Sequence, residues 1–150
     1  MREETYEINN RTCAIMPIDE LTSRVIELDD VIVVKLPVFD IIENSCSYFG
    51  SSYSGRFEGT KKLLGYNYKA PIIVEESNEL IFFPTSSPRY SECSWINLKL
   101  IHDYQRKNRH SLVNFGYNNI IEFPISFESM ENQVLRATRL ESVLRKRKQG

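Results

Sequence analysis

Short apolar stretches, each bounded by Pro, Ser or Asn, recur through the chain and constrain its fold more than any other feature. In the second half these stretches are APIIVEE, ELIFFPT, CSWINLKLIHDY, HSLVNF and NIIEFPI. Runs of this length that alternate or stay apolar between breaks are typical of β-strands. Ser77 and Asn78, which separate the first two runs, predict a tight hairpin. We therefore expect a mostly antiparallel β-sheet.

The first 36 residues contain further strand signals. The segments YEINN and CAIMPI predict a first hairpin with its turn at NNRT. The segment SRVIELDDVIVVKL predicts two more strands that meet at Asp29 and Asp30. Pro37 ends the second of these strands, because proline cannot donate a ladder hydrogen bond.

Two segments have the periodicity of amphipathic helices instead. In VFDIIENSCSYFG the apolar residues recur at helical spacing, which predicts a short middle helix that ends at Gly50. A C-terminal amphipathic helix is predicted from Ser126, whose hydroxyl can cap it. Its apolar stripe consists of Phe127, Met130, Val134, Ala137 and Leu144. Because a chain of 150 residues usually makes one domain with its own core, we expect a single α+β domain over residues 1–150.

The segment GSSYSGRFEGTKK, residues 50–62, is predicted to be a flexible loop after the middle helix. Its glycines allow the backbone to approach a ligand closely, and its hydroxyls and cations suit phosphates or sugar edges. The composition also fits a mobile turn without a ligand, because Gly and Ser mark loops in general. The segment is therefore a candidate binding loop whose ligand the composition leaves open.

Charge is distributed unevenly along the chain, although the formal net charge is only −1. Residues 1–45 contain four Lys/Arg and ten Asp/Glu, whereas residues 46–70 and 99–115 each contain four Lys/Arg and one acidic residue. The last twenty residues contain six Lys/Arg and two Glu. Such blocks can fold into one positive face that binds a polyanion, but they also fit ordinary solvated surfaces.

Sequence motifs for catalysis and metal binding are missing. Residues 50–55 have the glycine spacing of a Walker A loop, but Arg56 and Phe57 stand where Lys and Ser or Thr are needed. His102 and His110 lie beside no cysteine pair, and neither a G-x-S-x-G nor an H-E-x-x-H motif occurs. We therefore expect no enzyme, no metal and no cofactor.

Cysteine usage and hydropathy predict the compartment. Cys13, Cys46 and Cys93 are odd in number and widely spaced, which fits reduced thiols better than a disulfide framework. The longest apolar runs are too short to cross a bilayer, and the opening residues lack the basic-then-apolar order of a signal peptide. We therefore expect a cytoplasmic protein that has no membrane partner.

Three stretches together resemble the bacterial competence transcription factor (ComK) family. They are SCSYFGSSYSGRFEGT (45–60), LIFFPTSSPRYSECSWI (80–96) and EFPISFESMENQVLRAT (122–138), in the order and with the spacing of that family. The resemblance extends over most of residues 4–140. It implies a transcriptional activator of DNA-uptake genes that binds A/T-rich promoter boxes through the minor groove, as a homodimer or as paired dimers.

The resemblance also gives the predicted loop a role. Arg56 is expected to enter a narrow minor groove, the serines to donate to phosphates or base edges, and Lys61 and Lys62 to neutralise phosphates. Arg89, on a proline-stiffened turn, is a second candidate arm. The DNA-binding candidates are Ser51, Ser52, Tyr53, Ser54, Gly55, Arg56, Lys61, Lys62, Arg89, Asn132, Arg136 and Arg139.

Alternatives to this interpretation remain. The basic face of the C-terminal helix fits a solvated surface as well as a binding face, and Asn132 with Gln133 would be the candidates if the helix entered a major groove instead. Members of the family usually have a longer C-terminal tail for activation and for capture by a proteolytic adaptor, whereas this sequence ends at Gly150. A shortened paralogue, or a protein-protein regulator that does not itself activate transcription, is therefore the alternative function.

Overall fold

A computed structural model of the chain describes residues 2–150. Within that range the strands are β1 (Arg2–Glu3), β2 (Thr12–Pro17), β3 (Ser23–Glu27), β4 (Val31–Val34), β5 (Ile72–Glu75), β6 (Leu80–Pro84), β7 (Trp95–Asn97), β8 (Asp103–Lys107), β9 (His110–Asn114) and β10 (Ile120–Phe123). The α-helices are α1 (Val38–Tyr48), α2 (Tyr53–Leu64) and α3 (Phe127–Gln149). The expected α+β class is confirmed.

Seven strands form a central sheet in the order β1-β4-β3-β2-β7-β6-β5, and three form a small sheet in the order β10-β9-β8. Neighbouring strands are antiparallel except for β1, which pairs with β4 in parallel. The predicted hairpin around Ser77 and Asn78 is confirmed, since Ile72 of β5 pairs with Phe82 of β6.

Both faces of the central sheet are buried, which explains why its strands are apolar without strict alternation. In β6, Leu80 and Phe82 belong to one hydrophobic core. Ile81 and Phe83 belong to the other. The first core is closed by α1, and the second is closed by α3 and the small sheet. The sheet is therefore a middle layer that holds helices on both sides.

Two of the three helices agree with the sequence pattern. The middle helix α1 ends just before Gly50, whose φ of 86° lies in the left-handed region that favours glycine. At the start of α3, Ser126 Oγ accepts a hydrogen bond from the Ser129 N–H at 3.1 Å, which confirms the predicted cap. Both predictions depended on local periodicity and capping, and both are confirmed.

The predicted flexible loop is helix α2 over most of its length, so that prediction is wrong. Ser52 caps the helix by accepting from the Gly55 N–H, and Gly65 ends it with a φ of 78°. Thr60 is buried and donates to the Pro71 carbonyl at 2.7 Å, which ties α2 to the chain just before β5. These contacts outweigh the low helix propensity of the internal glycines.

The segment YEINN is not a strand, so the predicted first hairpin is also wrong. The Tyr6 hydroxyl is hydrogen-bonded to Thr12 Oγ1 at 2.7 Å and donates to Glu27. The Ile8 N–H donates to Ser45 Oγ of α1 at 3.0 Å. Side-chain hydrogen bonds therefore hold this segment in place, and β2 pairs with β3 and β7.

The run CSWINLKLIHDY was predicted to be one strand but serves two sheets. Strand β7 ends at Asn97, a 3-10 turn covers Leu98–Leu100, and β8 begins at Asp103. Asn97 Oδ1 accepts from the Lys99 N–H at 3.0 Å, which starts the turn. The apolar run therefore crosses from the central sheet to the small sheet.

Candidate nucleic-acid interface

The serines that were predicted to contact DNA lie at the start of α2, with Ser51 and Ser52 just before the helix and Ser54 in its first turn. Ser52 Oγ accepts from the Gly55 N–H at 3.0 Å, so this hydroxyl already serves as the helix cap. A Cβ at Gly55 would lie 3.2 Å from that oxygen and 3.3 Å from Ser51 Oγ, so a larger residue would disturb the cap. Ser54 is exposed and makes no side-chain hydrogen bond within residues 2–150. Among these serines, Ser54 is therefore the most accessible to a ligand.

Tyr53 is anchored in the protein rather than displayed on its surface. Its ring centroid lies 4.9 Å from that of Phe39 and 6.1 Å from that of Trp95, both edge-to-face. Burial raises the pKa of the Tyr53 hydroxyl to about 12, while the charge of Arg89 acts in the opposite direction. Tyr53 is therefore neutral near pH 7, and Arg89 is close enough to influence it.

Arg56 lies on a different side of α2 from Lys61, and its guanidinium is already paired with Glu76. Its Nη1 is 3.2 Å from Glu76 Oε1, and 17% of its side chain is exposed. Its Nε is buried without a hydrogen-bond partner within residues 2–150. Helical geometry separates Arg56 from Lys61 by about 140° around the α2 axis. The predicted groove contact of Arg56 thus requires its ion pair with Glu76 to open.

Gln133 fastens α3 to the connector, residues 65–69, which joins α2 to β5. Its Nε2 donates to the Lys69 carbonyl at 2.9 Å and to the Pro84 carbonyl at 2.7 Å, and its side chain is buried. A side chain held in this way cannot pair with adenine in a major groove. The alternative that gave Gln133 that role is therefore wrong, whereas its neighbour Asn132 is exposed.

Two arginines of α3 also bind the connector, and together with Gln133 they act as a clamp that holds it against the helix. Arg136 Nη1 donates to the Tyr68 carbonyl at 2.8 Å, and its guanidinium carbon lies 4.5 Å from the ring centroid of Tyr66. Arg139 Nη1 donates to the Tyr66 hydroxyl at 3.5 Å. Asn132 shares their side of the helix, because residues at i, i+4 and i+7 lie on one face. Because the connector follows α2 directly, these contacts hold α3 close to the C-terminal end of α2.

The cations around the connector form what we call the basic surface, which consists of Lys61, Lys62, Lys69, Arg136 and Arg139. The first two lie in the last turn of α2, the third in the connector and the arginines on α3. The two helices contact each other directly. Cations from two segments far apart in sequence are thus placed on adjoining elements.

The basic surface differs from the neighbouring strands of the small sheet in its ion pairing. Within residues 2–150, none of its five cations forms an ion pair with a carboxylate. On the small sheet, by contrast, Arg106 pairs with Glu128, and Lys107 Nζ lies 3.0 Å from Glu122 Oε1. Two of the four cations of the 99–115 block are therefore paired with carboxylates, while none of the five cations of the basic surface is.

Arg89 and the start of α2 line the same cavity, which has a volume of about 280 Å³. The cavity lies between the first turns of α2, the connector and the turn at residues 87–89. Tyr53, Ser54, Lys69 and Arg89 all line it. The structure thus brings together candidates from two separate predicted arms.

Lys69 is the residue that sequence reasoning missed. It lies in the positive block of residues 46–70 and belongs both to the cavity and to the basic surface. Its φ of 51° is uncommon for a residue other than glycine. The sequence signal that could have found it is a lysine after two tyrosines in the short segment between Gly65 and Pro71.

Metal binding, membrane spanning and thiol reactivity find little support in the part of the chain that the structure describes. No group of three or more His, Cys, Asp or Glu side chains in residues 2–150 could hold a metal ion. Nor does any helix in this range combine the length and apolarity needed to span a membrane. Burial raises the pKa of the Cys13 and Cys46 thiols to about 11, so both stay protonated near neutral pH.

Comparison with known proteins supports the resemblance found in the sequence. The family model described as ComK protein matches residues 3–149. The competence transcription factor of Bacillus subtilis (strain 168) is 37% identical over 143 residues, which cover 93% of this chain and 74% of that protein. No solved structure matches the chain. A match of this extent and identity places the chain in the ComK family.

Proposed function

We propose that this protein regulates the transcription of competence genes by binding A/T-rich duplex DNA through the minor groove. Membership of the ComK family supports the regulatory part, because its Bacillus subtilis relative is a competence transcription factor. The basic surface supports the DNA-binding part and is the observation that carries it. The protein acts in the cytoplasm, at the nucleoid, as a homodimer or as paired dimers.

The basic surface suits the phosphate backbone. Lys61, Lys62 and Lys69 carry flexible cations on α2 and the connector, and none is neutralised by a carboxylate within residues 2–150. Each phosphate that such a cation neutralises releases counterions, which favours binding at low salt. Asn132 and Ser54 add hydrogen-bonding groups beside these cations.

Arginines supply the groove contacts in this proposal. The narrow minor groove of A-tracts has a deepened negative potential that attracts arginine. Arg89 is exposed at a turn stiffened by Pro88, and Arg56 reaches the groove when its ion pair with Glu76 opens. Arg136 and Arg139 contact the backbone beside the groove. A proteolytic adaptor is a further proposed partner, on family resemblance alone.

The groove is tested with base-substituted boxes. Replacing A·T pairs by inosine·cytosine gives the major groove of G·C while the minor groove keeps an A·T-like pattern, because inosine lacks the N2 amine. We expect the inosine box to bind nearly as tightly as the original. We expect the guanine box to bind more weakly by about 1–3 kcal/mol for each pair contacted.

Competition binding of the three duplexes at one salt concentration provides the measurement. Equal weakening by inosine and guanine would contradict minor-groove reading and would leave a helix such as α3 in the major groove. Absence of binding to any duplex would leave the alternative function, a protein-protein regulator of the ComK family.

A further inference from the structure

The cavity beside α2 has aromatic walls. The rings of Tyr53 and Phe57, one helical turn apart, are stacked with centroids 6.1 Å apart and an interplanar angle of 22°. Phe39 packs edge-to-face on Tyr53, and the exposed Tyr68 also lines the cavity. Its volume of about 280 Å³ is near the lower end of small-molecule sites, which span roughly 300–1,000 Å³. Such walls suit a planar aromatic ring.

The rim of the cavity is positively charged. Lys69 and Arg89 line it, and no carboxylate of residues 2–150 does. Lys69 Nζ lies 5.7 Å from the ring centroid of Tyr68, so one cation sits directly beside an aromatic wall. The first turn of α2 adds the partial positive charge of a helix N-terminus. The cavity therefore favours an anion joined to an aromatic ring.

The position of Lys69 is held by the surrounding structure. Its left-handed backbone conformation costs a residue with a Cβ about 1–2 kcal/mol. The Gln133 amide holds that conformation by donating to the Lys69 carbonyl at 2.9 Å. Strained backbone that is kept in place by buried contacts is common at ligand sites.

We propose that this cavity binds a nucleoside monophosphate unit. The base stacks against Tyr68 and Phe57, and the phosphate is bound by Lys69 and Arg89. Stacking accepts every base because each has a π-face, so the site selects the phosphorylated unit rather than one base. The unit is either a free nucleotide or an unstacked nucleotide of a DNA strand, and both present the same chemistry.

Calorimetric titration of the full chain with AMP tests the site, with adenosine and inorganic phosphate as separate probes. We expect saturable AMP binding, with each separate probe weaker by at least about tenfold, because each keeps only one half of the contacts. The fluorescence of Trp95, the single tryptophan, should change in parallel, since its ring lies against Tyr53.

Matched variants locate the bound nucleotide. Tyr68→Ala and Arg89→Ala remove exposed side chains of the cavity, and each should weaken AMP binding about tenfold. Tyr48→Ala removes a tyrosine of similar exposure outside the cavity and should leave AMP binding unchanged. Equal losses in Tyr48→Ala and Tyr68→Ala would overturn the site.

A second titration distinguishes the two sources of the nucleotide. A duplex with one unpaired adenosine is compared with a fully paired duplex of the same sequence. If AMP does not bind but the unpaired adenosine strengthens duplex binding, and Tyr68→Ala removes that gain, the occupant belongs to the nucleic acid. If millimolar AMP gives no heat and the unpaired adenosine gives no gain, the proposal is wrong.

Occupation of the cavity has a regulatory consequence, which rests on the proposed function. Lys69 belongs both to the cavity and to the basic surface, so a bound phosphate removes a cation from the DNA. Saturating AMP should weaken duplex binding by the full chain about tenfold, and should have no effect on Tyr68→Ala. Binding to the paired duplex, with neither AMP binding nor a gain from the unpaired adenosine, would overturn the inference alone. AMP binding without duplex binding would overturn only the proposed function.

Discussion

At the scale of single residues, Arg56 has two competing partners. In the structure its guanidinium pairs with Glu76, and in the proposed complex it enters a minor groove. The Glu76 side chain is 59% exposed, so solvent screens its end of the pair, and a narrow A-tract groove can displace the carboxylate from Arg56. Glu76 therefore sets how readily Arg56 is released.

Glu76→Gln tests this competition. The variant removes the carboxylate that holds Arg56, so we expect it to strengthen binding to A-tract duplexes about threefold, while Arg56→Ala weakens that binding. Fluorescence anisotropy with A-tract and mixed-sequence duplexes provides the measurement.

Glu58→Gln is the matched control for Glu76→Gln. It removes the same charge from exposed Glu58 of α2, which forms no ion pair within residues 2–150. It therefore reports the general effect of lower negative charge. If the two Gln variants strengthen binding equally, the release of Arg56 contributes nothing and its groove contact is wrong.

At the scale of secondary-structure elements, α3 acts as a clamp on the connector. Gln133 satisfies two carbonyls that lie on different elements, at Lys69 and at Pro84. Met130, Ala137 and the apolar residues of the small sheet close the second core around it. The basic surface therefore depends on a helix whose inner face is buried and whose outer face carries the arginines.

Gln133→Met measures the strength of this clamp. The variant fills a similar volume but leaves two carbonyls without their donor, so we expect the free energy of unfolding to fall by about 2–4 kcal/mol. Urea denaturation provides the measurement. Asn132→Ala, at the exposed neighbour, should change it by less than about 0.5 kcal/mol. Equal effects of the two substitutions would show that the clamp has no role in stability.

At the scale of the whole molecule, the arrangement of ion pairs leaves the cations around the connector without carboxylate partners within residues 2–150. Arg106 of the small sheet pairs with Glu128 and Arg145 of α3 pairs with Glu79, whereas the last turn of α3 keeps cations that form no ion pair within residues 2–150. The connector region has no such pairs within residues 2–150. A chain with a formal net charge of −1 can therefore still present a positive surface to a polyanion.

The salt dependence of duplex binding tests this distribution. If all five cations of the basic surface contact phosphates, the logarithm of the binding constant should fall against the logarithm of salt concentration with a slope of about −4 to −5 per protomer. Lys62→Ala should reduce the slope by about 1, and Lys107→Ala, on the small sheet, should leave it unchanged. A slope near zero, or equal effects of both variants, would contradict the basic surface as the DNA contact.

The sequence by itself determined most of the strands, the helices α1 and α3, and the hairpin around Ser77 and Asn78. These features follow from periodicity and capping, which are written in neighbouring residues. The ComK family, and with it the expectation of a transcription regulator, also followed from the segments at residues 45–60, 80–96 and 122–138, and the match to the family over residues 3–149 supports it.

Only the tertiary structure decided that residues 53–64 are helical, that YEINN is irregular and that Arg56 faces Glu76. In each case the deciding partner is distant in sequence, such as Pro71 for Thr60 or Ser45 for Ile8. The basic surface likewise exists because Gln133 and Arg136 bind the connector, more than sixty residues away. Local propensity is worth a few tenths of a kcal/mol per residue, so such long-range contacts outweigh it, and no pattern of neighbouring residues can reveal them.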